Sequence, residues 1–257
     1  MKRPLPADAI PEQRLRELRL LASDIDDTLT RDGVIDTEIF NHLARLRRGG
    51  VAVWLVTGRC AAWGQALAHY LDVDGVIAEN GGVVCVDEDI RIVADAELIG
   101  SERVRLREAF EKICAQVPAA QVTQDNIGRL TDWTFVRPSL SDRDMAVAAD
   151  IAREAGLRMI ASSIHVHLFA GAHTKATALA VVCDEAGVVN REQVLTLGDS
   201  PNDEPLFDES AFPFSVGVAN LAPYLEQLDH KPLFLLPHPE AEGALWLLKR
   251  ILVTQGL

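Results

Sequence analysis

The stretch LRLLASDIDDT, residues 18–28, decides how the chain is read. Leu20, Leu21 and Ala22 belong to a short continuous apolar run, the pattern of a strand buried on both faces. The run stops in Asp24, Asp26 and Asp27, followed by Thr28. If the extended geometry persists, a period of two puts the Asp24 and Asp26 carboxylates on one side. In an open α/β sheet, ligands collect in the crevice beyond the carboxyl ends of the strands, which is where these carboxylates fall.

The flanking sequence fits such a sheet. VAVWLV (51–56) is a second buried strand ending in Thr57-Gly58-Arg59, and DGVIA (74–78) is a third. Between them, Asp36 or Thr37 caps a helix through HLARLRR that Gly49-Gly50 stops, and AAWGQALAHYL (61–71) forms another. From about residue 83 the rhythm changes. VVCV (83–86) and IRIV (90–93) read as a hairpin, and Leu106, Phe110, Ile113, Cys114 and Val117 are spaced as a helix. TDWTFVR (131–137) reads as a strand. Ser141 and Asp144 form a capping box for a further helix, and LRMIA (157–161) and IHVHLFA (164–170) are strands. After Thr174 the alternation returns with a helix through KATALAVVCDEA, then QVLTLGD (193–199), FSVGVA (214–219), PLFLL (232–236) and a last helix around ALWLLKRIL. The expected fold class is α/β: a mostly parallel sheet core over 1–84 and 171–257, with an α+β cap inserted at 85–170.

A net charge of −13 over 257 residues argues against nucleic acid or an anionic membrane as a partner, since both select cationic surfaces. No apolar run reaches the length of a membrane span, and the opening MKRPLPADAIPEQRLREL lacks the apolar segment of a signal peptide. Cys60, Cys85, Cys114 and Cys183 are scattered, as expected of reduced thiols in a cytoplasmic protein. Oligomeric state stays open.

Four strand or helix ends carry the chemistry: Asp24 and Asp26, Thr57-Gly58, Lys175, and GDSPND (198–203) with Asp199 and Asp203. Carboxylates packed together either rise in pKa or hold a cation, and hard oxygen ligands suit Mg²⁺, which also binds substrate phosphates. The Thr57 hydroxyl and the backbone near Gly58 can cradle phosphate oxygens. A carboxylate nucleophile acting on a phosphoryl group yields an aspartyl-phosphate, while a second carboxylate serves as acid and then base.

At these residues the sequence resembles the haloacid dehalogenase superfamily of phosphohydrolases, through DIDDT (24–28), TGR (57–59), Lys175 and GDSPND (198–203) in the family's order. ENGG (79–82) and VGVAN (216–220) are similar to its Cof-type and sucrose-phosphatase-like branch, whose members carry the larger α+β cap. The resemblance implies a Rossmann-like core and a Mg²⁺-dependent phosphatase of a small soluble phosphomonoester, a sugar phosphate or related metabolite. It makes Asp24 the nucleophile and Asp26 the acid/base. Thr57 and Gly58 bind phosphate, and Lys175 balances its charge. Asp199 completes the metal site with the Asp24 carboxylate and the Asp26 carbonyl, with Asn202 and Asp203 in support. Lys175 is followed by Ala176 where many relatives have glycine, so the helix start can sit differently.

Other readings stay beside these. Asp203 either contacts metal or only anchors its loop, and Arg59 is expected to be structural. Arg129, Asp132 and Trp133 in the cap either grip a leaving group or are a surface pair beside a core tryptophan. His165 and His167 alternate on one strand as a hydrogen-bonded or exposed pair. A phosphomutase of the same superfamily and a non-hydrolytic phosphate-binding protein are the rival functions.

Overall fold

The computed structural model describes residues 3–93, 99–162 and 164–257. The chain opens with β1 (Leu5–Pro6) and α1 (Glu12–Arg16), then runs through β2 (Leu20–Ser23) into a small hairpin of β3 (Thr30–Arg31) and β4 (Val34–Ile35). Next come α2 (Thr37–Arg48), β5 (Ala52–Val56), α3 (Ala61–Tyr70), β6 (Gly75–Ala78), β7 (Val83–Val86) and β8 (Asp89–Ile92). The inserted region contains α4 (Ile99–Gln116), β9 (Asp132–Val136), α5 (Asp142–Glu154), β10 (Arg158–Ala161) and β11 (His165–Phe169). The chain returns through α6 (Lys175–Glu185), β12 (Val194–Gly198), β13 (Ser215–Gly217), β14 (Phe234–Leu235) and α7 (Glu240–Gln255).

The main sheet has the order β1-β14-β13-β12-β2-β5-β6-β7-β8. Pairing is parallel from β1 to β6 and antiparallel along the β6-β7-β8 edge. Alternate residues feed opposite cores, as a strand covered on both faces requires. Leu21, Val53 and Leu55 pack on one side with Leu247, Leu248 and Ile251 of α7. Leu20, Ala22, Trp54 and Val56 pack on the other with Leu179 and Val182 of α6.

The second sheet, β10-β11-β9, is antiparallel. One of its faces packs on α4 and α5 around Leu106, Phe110, Ile113, Phe135, Val166 and Leu168. Ser141 accepts from the Asp144 N–H while the Asp144 carboxylate accepts from the Ser141 N–H, the capping box that starts α5. The hairpin β7-β8 hydrogen-bonds to β6, so it extends the main sheet. The sequence-based cut at 84/85 falls inside this hairpin. Among the described residues no helix is long and apolar enough to cross a membrane, and the four cysteines are free thiols.

Candidate active site

β2 and β12 are neighbours, and the chain leaves them in opposite directions, toward β5 and toward β13. At such a switch point the connections splay and open a crevice. Register then brings the functional residues to one level. Ser23 pairs with Leu197 on one side and Leu55 on the other, so Asp24, Asp199 and Thr57 all leave adjacent strands within two residues of those pairs. The Asp24 N–H still donates to the Leu197 carbonyl at 2.9 Å, and the Thr57 N–H to the Ile77 carbonyl at 2.7 Å.

Lys175 is the first residue of α6, whose start is fixed by reciprocal bonds between Thr174 and Thr177. Gly81, at φ +103°, lets the turn after β6 lie directly on that helix start: a Cβ there would sit 2.1 Å from the Thr174 carbonyl oxygen. Ala176 in place of glycine leaves this start intact. The Lys175 Nζ is fully buried and donates to Asp24 Oδ1 and Asp203 Oδ1, each at 2.6 Å. Asp203 Oδ2 also accepts from the N–H groups of Asp199 at 3.0 Å and Ser200 at 3.2 Å, so this carboxylate anchors its own loop. Asp199 accepts from the Thr28 hydroxyl at 3.2 Å and from Asn220 at 3.3 Å. Asn220 also holds the Asp27 carbonyl at 3.0 Å.

Asp24, Asp199 and Asp203 present oxygens within 4.8 Å of one another. Burial, with repulsion from Asp203 and Asp26, pushes Asp24 well above the usual carboxylate range despite the charge of Lys175. Burial raises Asp199 too, reinforced by Asp24 and Asp203. Lys175 is held above the usual lysine value: burial opposes its charge, but Asp203 and Asp24 overcome that. Three carboxylates against one ammonium leave excess negative charge in a buried pocket, and an all-oxygen donor set of this kind fits a hard divalent cation such as Mg²⁺.

Asp26 lines the same cavity as Asp24, but its carboxylate lies outside this cluster. Arg59 takes it in a two-pronged pair, Nε to Oδ2 at 2.9 Å and Nη2 to Oδ1 at 2.5 Å, while its guanidinium stacks on Trp63. Arg59 therefore has a role at the site, holding Asp26. Thr57 is fully buried, and its hydroxyl accepts from the Arg59 N–H at 3.0 Å.

Ser162, Ile164, His165 and His167 roof a cavity of about 20 Å³ floored by Asp24, Asp26 and Gly58. That space admits about one water. A larger cleft of about 520 Å³ continues under the same face of the small sheet, past Arg158, Ile160 and Phe169. Asn202, bonded to Asn80 at 3.1 Å, lines both.

The two halves meet at Glu79. It is buried, at φ 51°, and its carboxylate accepts from Ala61 N at 2.8 Å, Leu130 N at 2.9 Å, Thr131 N at 2.6 Å and the Thr131 hydroxyl at 2.7 Å. Next to this junction the surface-pair alternative is corrected. Arg129 and Asp132 are both buried, because Arg129 is enclosed by Asp132 at 2.9 Å, Asp125 at 2.7 Å and the Gly58 carbonyl at 3.0 Å. With Nη1 and Nη2 bonded inside the protein and the side chain fully buried, Arg129 offers no exposed donor to grip a leaving group. Trp133 tilts against Phe110 in the core of the small sheet. Glu79, Asn80 and Asn220 carried no role in the sequence reading. Their signal was ENGG and VGVAN, which a resemblance marked without saying what the residues hold.

The family model described as haloacid dehalogenase-like hydrolase matches residues 21–128. A phosphoglycolate phosphatase of Halorubrum lacusprofundi is 31% identical over 205 residues, covering 78% of this chain and 85% of that protein. The chain belongs to the haloacid dehalogenase-like hydrolases. The fold of this hydrolase agrees. A Thermoplasma acidophilum protein superposes with a TM-score of 0.73 at 23% identity, covering 91% of this chain and 98% of that one. The Synechocystis sucrose-phosphatase, solved with sucrose and phosphate, gives 0.68 at 20% identity over 92% and 98%.

Proposed function

We propose that the chain hydrolyses a small phosphomonoester through a phosphorylated Asp24. The observation that carries this is Lys175, fully buried and bonded at 2.6 Å to both Asp24 and Asp203. Burying an ammonium between carboxylates at a strand end costs desolvation that folding alone does not need. It has a use where a nucleophilic carboxylate must approach an anionic phosphoryl group. Asp24 attacks phosphorus as the alcohol departs. Asp26 protonates that alcohol and later takes a proton from the water that releases phosphate. Asp26 accepts from Arg59 at both oxygens, so Arg59 must release one before Asp26 delivers a proton. Thr57 and the peptide groups around Gly58 hold the phosphoryl oxygens. Asp24 and Asp199 would hold Mg²⁺, with the Asp26 carbonyl, Asp203 and Asn202 in support; when bound the ion offsets charge on the phosphoryl group.

The cavity at Asp24 is too small for an ester, so residues 99–170 act as a cap that lifts for entry and closes to exclude water. The relatives' names favour phosphoglycolate over a sugar phosphate as the first ester to try. The test is phosphate release with Mg²⁺ across phosphoglycolate, sugar phosphates and nucleotides, with Asp24→Asn as the blank. Release that vanishes in the variant and on chelation supports the reading; release that survives in Asp24→Asn overturns it.

A further inference from the structure

β11 sets the ring of His167 against the loop after β5. A Cβ on Gly58 would lie 3.0 Å from His167 Cε1 and 3.1 Å from Nε2, so the ring packs closely on this glycine. His167 is fully buried and lines the same small cavity as Asp24, Asp26 and Gly58. Its two nitrogens differ. Nδ1 lies 2.8 Å from Asp132 Oδ2, and an ionised carboxylate can only accept, so Nδ1 carries hydrogen. Nε2 is buried and has no hydrogen-bond partner among the described residues. An unpaired polar atom in the interior is costly, and its natural partner here is a group that enters the cavity.

The ring cannot turn without breaking a chain of fixed groups. Asp132 takes both its oxygens to Arg129 Nη1 at 2.9 Å, while Arg129 is pinned by Asp125 at 2.7 Å and itself reaches the Gly58 carbonyl at 3.0 Å. One network therefore sets the imidazole and braces the loop beneath it. We infer that His167 is a substrate-binding residue supplied by the cap, with Nε2–H donating to a phosphoryl oxygen held at Thr57 and Gly58. This rests on the phosphatase reading above.

Donation from Nε2 requires the imidazolium, and solvent supplies that proton as the dianion binds. Burial lowers His167 in the free protein, so the ring starts neutral. Asp132 and, across the cavity, Asp24 and Asp26 favour the cation. Arg129, Lys175, Arg59 and the adjacent His165 ring oppose it. The incoming phosphoryl charge tips this balance.

The experiment is inhibition of ester hydrolysis by inorganic phosphate in the Mg²⁺-loaded protein, wild type beside His167→Asn, whose amide can still donate to Asp132 but does not reach the position of Nε2. Loss of one charge-assisted hydrogen bond raises the inhibition constant for phosphate about ten- to a hundredfold. KM rises with it and kcat changes less. An inhibition constant within twofold of wild type overturns the inference. Should the variant misfold, wild-type protein labelled with ¹⁵N-histidine decides. Titration with phosphate moves the His167 Nε2 resonance to its protonated position, and a resonance that stays put while phosphate inhibits overturns the inference. Wild type that neither hydrolyses an ester nor binds phosphate sinks the phosphatase reading itself, and this inference with it.

Discussion

Lys175 and Arg129 are both fully buried cations between two carboxylates, one in the core and one under the cap, yet their surroundings behave in opposite ways. Around Lys175 the carboxylates outnumber the cation, and Asp24 and Asp199 are pushed up by burial and by one another. Around Arg129 two carboxylates also face one cation, but both bond directly to its guanidinium, and Asp132 is bonded to His167 as well. Burial pushes Asp132 and Asp125 up, but Arg129 outweighs it and both end below the ordinary value. Unbalanced charge of the first kind is characteristic of ligand-binding sites, whereas the second cluster fixes groups of the cap against one another and against the Gly58 loop. The comparison predicts that breaking the first cluster removes function and spares the fold, and that breaking the second costs stability first and reaches activity only through binding.

The largest effect is expected at Asp24. Asp24→Asn removes the nucleophile and should lower kcat by at least about a thousandfold, by analogy with the loss of other nucleophiles. Because ionised Asp24 is held at a cost, the metal-free variant should unfold at the same or a higher temperature than wild type. Calorimetry beside a phosphate-release assay checks both, and a strongly destabilised Asp24→Asn would erase the contrast.

Arg129→Met is the mirror experiment. It leaves Asp132 and Asp125 without their buried counter-charge, and breaking such a pair costs about 3–5 kcal/mol. Urea unfolding should show this loss. Activity in the remaining folded protein should fall mainly through KM, since the variant loosens the cap-side bond to Gly58 and leaves Asp24 in place. An unaltered urea midpoint would show that the cap cluster is not the structural one.

The difference between the two clusters also explains what could be read from sequence. Asp24, Thr57, Lys175 and Asp199 were legible because each sits where an apolar run or a helix begins or ends, and parallel register then aligns those ends. Asp36 and Ser141 were legible as helix caps for the same local reason. Arg129 and Asp132 were left between a grip and a surface pair, and neither alternative foresaw their burial, because it comes from residues far away, Gly58 and His167. Glu79 meets its partners 51 and 52 positions downstream, a distance no local pattern spans. The hairpin β3-β4 was missed although Asp32-Gly33, both at positive φ, is a hairpin turn signal, because two-residue strands carry no periodicity. The same brevity hid β1.

The pH dependence separates the clusters next. Asp24 and Asp199 have raised values in the folded protein. The stability they lend is therefore full below the ordinary aspartate range near about pH 4, and it is lost as pH rises through the raised values. Asp132 and Asp125 are depressed, so their contribution is present above that range and lost as pH falls through the depressed values. Metal-free protein should thus weaken at the core site toward neutral pH. Mg²⁺ at a hundred times its dissociation constant should return about 2.7 kcal/mol there and little at acid pH. Thermal melts with and without chelator across pH read this directly. Equal Mg²⁺ stabilisation at pH 4 and pH 8 would mean the ion does not bind these carboxylates.

Arg59 sits between the two clusters and should give the smallest effect. Its fork holds Asp26 at 2.9 and 2.5 Å, and both side chains are partly exposed, so solvent screens the pair and its worth is at the low end for an ion pair. Arg59→Ala should leave the melting temperature almost unchanged. It should lower kcat/KM by about tenfold, because Asp26 loses the partner that fixes its rotamer near the departing alcohol. Arg59→Lys keeps the charge but not the planar fork, and should recover less than half of that loss. A full recovery by lysine would mean that charge alone matters at this position, and that Asp26 is held in place by something other than the two-pronged contact.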